Sequence, residues 1–206
     1  ELTQLQSILQ NQIERHGQNI YKDGTVIIPG QVSISNAYTS IQLASQFGGE
    51  DVVVAQYLNT TTPVTITGVT SGVKAQVIGV KAGTSTTQPV LYLQYIATGT
   101  DNTTTTFSNS ENITADASVT HTTTYATNVA SATTHTSAAQ TGVSAKVENG
   151  VYYLKGQFVR VAEQTHVVSD SDPTATARVG FTITESLVTP EADSSLTDNA
   201  TGSANF

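Results

Sequence analysis

The sequence predicts a mainly β protein: one amphipathic N-terminal helix, then an antiparallel β-sandwich or meander that carries a small inserted β-barrel-like module. Three observations lead there. Apolar residues recur at spacings of three and four only in the opening segment, and from Lys22 onward their period is two, the spacing that lines one face of a strand. Turn pairs such as Asp23-Gly24, Pro29-Gly30, Asn149-Gly150 and Lys155-Gly156 cut the rest into short runs. Clusters such as Thr60-Thr61-Thr62 and Thr122-Thr123-Thr124 supply a β-branched, uncharged surface that suits strands with one wet face. Mucin-like stalks are Thr-rich too, but they carry frequent Pro, and this chain has 5.

Taken in order, residues 1–22 place Leu2, Leu5, Ile8, Leu9, Ile13 and Ile20 on one helical stripe, with Gly17 as the expected C-cap. A stripe that starts at the first residues suits a partner copy or a preceding segment as well as the chain's own sheet. Residues 23–63 read as a turn at Asp23-Gly24, a short strand over 26–28, a break at Pro29-Gly30 and further strands, while "DVVVAQYL" is compatible with a strand or one helical turn. Residues 64–117 read as an inserted β module of about five short strands, bent at Gly68, Gly72 and Gly79. Residues 118–142 are small, polar and Thr-rich, an extended ladder or an arm. Residues 143–190 return to the main β domain. There "VENGVYYLKGQFVRV" predicts a three-stranded meander with turns at Asn149-Gly150 and Lys155-Gly156, and "ATARVGFTITESLV" a further strand that alternates Val179, Phe181 and Ile183. The chain begins at Glu1 and has no Met, which leads us to expect a processed or partial product in which residues 191–206 form a truncated connection to a C-terminal part.

Charge and motifs exclude several function classes. With 8 Lys+Arg against 16 Asp+Glu the net charge is −8, a field that repels a phosphate backbone, so no nucleic-acid partner is expected. No apolar run has the length of a membrane helix, so no membrane insertion is expected. The absence of Cys removes disulfides, thiolate metal sites and cysteine nucleophiles. His16, His121, His135 and His166 lack the spacing that puts two imidazoles on one metal from a single element, and only folding could bring His121 to His135. There is no G-x-S-x-G elbow, P-loop or dinucleotide fingerprint, so neither an enzyme nor a cofactor is expected. Acidic residues stand mostly in turn-like contexts (Asp23, Glu50-Asp51, Asp101, Glu111, Asp116), where solvated surface is the usual role. Sequons such as Asn59-Thr60-Thr61 and Asn199-Ala200-Thr201 are of the kind that a Thr-rich chain produces by chance.

Three blocks, "ELTQLQSILQNQIERHGQNIYKDGTVIIPGQVSI", "VENGVYYLKGQFVRVAEQT" and "RVGFTITESLVTPEADSSLTDNATGSANF", resemble in order a family of tailed-phage virion structural proteins, frequent in T-even-type cyanophages and known as a domain of unknown function. The middle, "GVTSGVKAQVIGV" with "FSNSENIT", is similar to small β modules exchanged among phage appendage proteins. The resemblance implies a structural component of a tail fibre or baseplate, located in the virion, whose partners are copies of itself (a trimer in a fibre) and neighbouring tail proteins. It carries over no catalytic or binding residues. The alternative is a module that binds a host-surface glycan or receptor, with Tyr125, Tyr152 and Tyr153 as stacking platforms; core packing is the commoner role for tyrosines in a meander.

Overall fold

The structure, a computed structural model, describes residues 2–186 and 188–196. Glu1, the sequon at Asn199 and residues 197–206 of the expected C-terminal connection lie outside the described residues. The protein is mainly β, with one α-helix among the described residues, α1 (Leu2–Ile20), ahead of antiparallel sheets. The strands are β1 (Val26–Ile28), β2 (Val32–Leu43), β3 (Gln46–Phe47), β4 (Glu50–Asp51), β5 (Thr65–Gly68), β6 (Lys74–Lys81) and β7 (Val90–Ala97). They continue as β8 (Asn112–Ala115), β9 (Val119–Thr120), β10 (Thr124–Tyr125), β11 (Ala130–Val147), β12 (Gly150–Leu154), β13 (Gln157–Val161) and β14 (Gln164–Ser169). A 3-10 turn occupies Val54–Tyr57, so "DVVVAQYL" holds the end of β4 at Asp51 and then a helical turn.

The chain forms two compact units: residues 1–31, 147–163 and 178–206, and residues 32–146 with 164–177. In the second, seven strands pair in the order β14-β11-β2-β7-β6-β5-β8, and β8 also pairs with β11, so the hydrogen bonding runs round in a ring. The strands of residues 64–117 do not close on themselves: β7 goes on to β2 and β8 to β11. The period-two reading explains which side is buried. Ile66 on β5, Ala75 and Val77 on β6, Leu91 and Leu93 on β7, and Ile113 and Ala115 on β8 point inward at alternate positions. Tyr57 and Val54 of the 3-10 turn, with Phe107 from a loop and Val119 of β9, join the same core.

Strand β11 carries most of residues 118–142, so the Thr-rich stretch is for the most part an 18-residue strand. Its apolar signal is faint because Ser131, Ala132, Thr134 and Ala138 are small, and small side chains are what it buries. The meander differs from expectation. Its first strand is β1, not β11: β12 pairs with β1 on one side and β13 on the other. Neither Asn149 nor Gly150 has positive φ, which a type I′ hairpin requires of both central residues. Instead Asn149 accepts a hydrogen bond from Glu163 N at 3.0 Å, and Glu148 N donates to Gln31 O at 3.0 Å. Lys155 (φ 44°) and Gly156 (φ 84°) do form the expected turn between β12 and β13.

Burial within the larger unit yields one pH prediction. Desolvation pushes the phenols of Tyr57 and Tyr92 up to about 12, against a weaker opposing pull from Ser131 on the first and with reinforcement from Asp170 on the second. A raised folded-state pKa means that the neutral phenol favours the fold. Its contribution is complete below the unfolded value near 10 and is lost as pH rises toward about 12. Urea midpoints are therefore expected to fall over that window, with part of the phenolate absorbance appearing only on unfolding. A native titration of all the tyrosines in one step near the ordinary value would contradict it.

Candidate functional site

The smaller unit presents the feature that calls for a function. Helix α1 is seated on the β12–β13 hairpin through its least bulky side. Gly17 is buried against Tyr153, and a Cβ at that position would lie 2.8 Å from two ring carbons of Tyr153 and nearer still to its hydroxyl. Tyr153 Oη donates to the Glu14 carbonyl at 3.3 Å, and Tyr21, Tyr153 and Phe158 close ranks with ring centroids 5.3–6.2 Å apart. Gly17 is thus an interior helical residue rather than the expected cap. Tyr21 N still donates to its carbonyl at 2.7 Å, and the helix runs on to Ile20.

This seating leaves the apolar stripe outside. Leu5, Leu9, Ile13 and Ile20 of α1, Phe158 and Val159 of β13, and Val179, Phe181 and Ile183 are each 39–64% exposed. Tyr153, at 1%, is the one large apolar side chain named as buried in this unit among the described residues. The segment with Val179, Phe181 and Ile183 alternates as a strand should, yet residues 175–186 form none. It makes side-chain contacts, Phe181 to Tyr152 with ring centroids 5.5 Å apart and Glu185 to Lys155 Nζ at 2.6 Å, but it joins no sheet among the described residues. The chemistry on offer is apolar area, which is what association uses.

Of the tyrosines named for a glycan, Tyr152 and Tyr153 do not share a face. Tyr152 and Tyr153 are neighbours on β12 and so face opposite sides of the sheet, one against Phe181 and the other under α1. Tyr125 belongs to the larger unit, where it packs on Phe47 and His121 at 5.4 and 5.5 Å.

His121 is committed to structure. A backbone N–H can only donate, so the 3.1 Å bond from Val53 N makes Nδ1 the acceptor, and Nε2–H then donates to Ser131 O at 2.7 Å. Nearby, Glu50 accepts from Thr122 N, Thr123 N and Thr123 Oγ1 at 3.1, 2.8 and 2.6 Å, and the Thr123 hydroxyl leads the bonds that hold its carboxyl below the usual range. His135 Nδ1 accepts from Ser137 N at 3.4 Å. Among the described residues, no group of three or more His, Asp or Glu is arranged to hold a metal.

Glu111 corrects the reading of the acidic residues. It is 3% exposed, and its carboxylate accepts from Ser108 N, Ser71 N, Ser71 Oγ and Thr70 N at 2.6, 2.9, 2.9 and 3.1 Å. Every donor comes from the protein's own turns, so the group is a structural tie rather than a reactive acid. A groove of about 660 Å³ lies between residues 51–55 and 82–89 of the same unit, but Asp51 is the one ionisable side chain on its wall. No helix among the described residues is long and apolar enough to cross a membrane. Comparison with protein-family models, with curated proteins and with solved structures finds no match to this chain.

Proposed function

We propose that the chain is a non-enzymatic structural component of a tailed-bacteriophage virion, built into a tail fibre or baseplate appendage by association with copies of itself and with neighbouring tail proteins. The observation that carries the reading is the contrast between the two units. The larger unit buries its alternating apolar residues, whereas among the described residues of the smaller one Tyr153 alone is a fully buried large apolar side chain, Tyr21, Ile27, Val151, Tyr152 and Leu154 are half-buried, and the stripe of α1 stays exposed. An apolar surface of that kind resembles a core cut in half, the character of obligate interfaces rather than of a freely diffusing enzyme. The virion assignment draws on the three sequence blocks that resemble phage structural proteins. The glycan alternative draws no support from Tyr152 and Tyr153, which face opposite sides of their sheet.

Two measurements test the proposal. Light scattering on the purified 21.6 kDa chain is expected to return a multiple of that mass, three copies if it belongs to a fibre. Gold-tagged antibodies against residues 143–190 are expected to label fibres or baseplate on virions. A monomer in solution and in the particle would refute self-association, and label on the head or neck would refute the tail position.

A further inference from the structure

We propose that the exposed stripe of α1 is a homotypic seam, through which copies of the chain pair parallel and in register, with His16 meeting His16. The inference rests on the self-association put forward above and specifies its geometry. Leu2, Leu5 and Leu9 are followed eleven residues later by Ile13, His16 and Ile20. A repeat of three positions in eleven is about 3.67 residues per turn, close enough to the α-helical 3.6 that the stripe stays on one side along the whole helix. Gly17 and Glu14, which face the hairpin, lie roughly 80–140° round the helix from the middle of the stripe, so seating on Tyr153 leaves the stripe open, with Leu9 and Ile13 on the edge that borders the hairpin turn.

The occupant follows from three facts. A stripe with helical period is matched by another helix, and among the described residues α1 is the one α-helix, so α1 of a second copy is the matching helix that the described chain itself supplies. A second copy has the same period by construction. Charge removes the usual objection, because the chain as a whole carries −8, yet over residues 2–20 Glu14 and Arg15 cancel and the stripe is flanked by Gln6, Gln10 and Gln12. The acidic field that would hold copies apart is therefore absent from the surface that would join them.

Direction and register come from His16. It is the single polar member of the repeat and is exposed. In a parallel, in-register bundle the imidazoles face one another and can share protons or water. An antiparallel pairing sets His16 against Leu5, and a slipped one sets it against Leu or Ile; either leaves a polar ring in an apolar layer without a partner.

The absence of Cys makes the test clean. Leu5→Cys, on the stripe, and Asn11→Cys, on the opposite face, are made in the full chain and treated with a short bis-maleimide. Leu5→Cys is expected to crosslink to itself at least about tenfold faster than Asn11→Cys, since the seam raises the local thiol concentration. Antiparallel helices would hold the two introduced thiols of Leu5→Cys about 17 Å apart. In that case Leu5→Cys mixed with His16→Cys would crosslink while Leu5→Cys alone would not, and the proposal would be overturned. A multimeric mass with equal rates at positions 5 and 11 overturns the seam and leaves self-association standing. A monomeric mass with no crosslink overturns both.

Discussion

Glu111→Ala is expected to cost on the order of 3–5 kcal/mol, the largest loss from a single side chain in the larger unit. The carboxylate is the sole acceptor found for four donors from two different turns: Thr70 and Ser71, which follow β5, and Ser108, which precedes β8. Its own N–H donates to Thr134 Oγ1 on β11 at 2.9 Å, and that hydroxyl donates on to Ser108 O at 2.7 Å. The residue therefore ties β5, β8 and β11 together at the point where the ring of strands meets itself. The space was made for it, since a Cβ at Gly68 would fall within 2.7 Å of both carboxylate oxygens. Truncation leaves the buried Ser71 N–H and hydroxyl, and the part-buried Thr70 and Ser108 N–H groups, without their acceptor. Glu111→Gln separates charge from volume: an amide keeps the size, but its NH₂ points a donor at the existing donors. The expected order of thermal midpoints is wild type, then Gln, then Ala, with Ala lower on the order of 10 °C for a chain of this size. A Gln variant that melts with wild type would show that the carboxylate's charge is not what holds the turns.

Much of the fold is written locally, and the departures share one cause. The helix, the Asp23-Gly24 and Lys155-Gly156 turns and the alternating strands of residues 64–117 depend on neighbours a few residues away, and each was legible from period and turn chemistry. Pairing across the chain was not. Asn149-Gly150 has the composition of a hairpin, but β1, more than a hundred residues earlier, takes the edge of β12 that β11 was expected to fill. Val179, Phe181 and Ile183 carry the alternation of a strand, yet being a strand also requires a neighbour's backbone, and no strand of the described residues supplies it. Glu111 stands in a turn-like stretch where solvated surface is the reasonable expectation, because nothing nearby in sequence shows that Thr70 and Ser71 will arrive from the other side. The apolar stripe of α1 was readable. That it would stay exposed was not, because Gly17 as a cap and Gly17 as a contact point look alike until Tyr153 is in place.

Gly17→Ala gives a sign reversal that isolates that contact. In a solvated helix the change is favourable by about 1 kcal/mol, since alanine loses less backbone entropy than glycine. In this protein the added methyl meets the Tyr153 ring, and the ring has nowhere to go. The backbone of Tyr153 is held twice along one side, its N–H donating to Thr25 O at 2.9 Å and its carbonyl accepting from Gly24 N at 2.9 Å, while Phe158 and Tyr21 flank the ring. Overpacking of this kind costs about 1–3 kcal/mol, enough to outweigh the gain in propensity. Tyr153→Ala removes the contact from the other side and is expected to cost about 3–5 kcal/mol, because the smaller unit has no second buried large side chain among its described residues to hold the helix. Tyr153→Phe, which deletes only the hydroxyl nearest to Gly17, should partly rescue Gly17→Ala, so that the double variant is more stable than the two separate losses add up to. Hydrogen exchange reads the effect where it belongs: amides in the second half of α1 lose protection in each single variant, while those of β5–β8 keep theirs. If Gly17→Ala instead raises protection in α1, the helix is not seated on Tyr153, and the stripe it holds outward loses its structural basis.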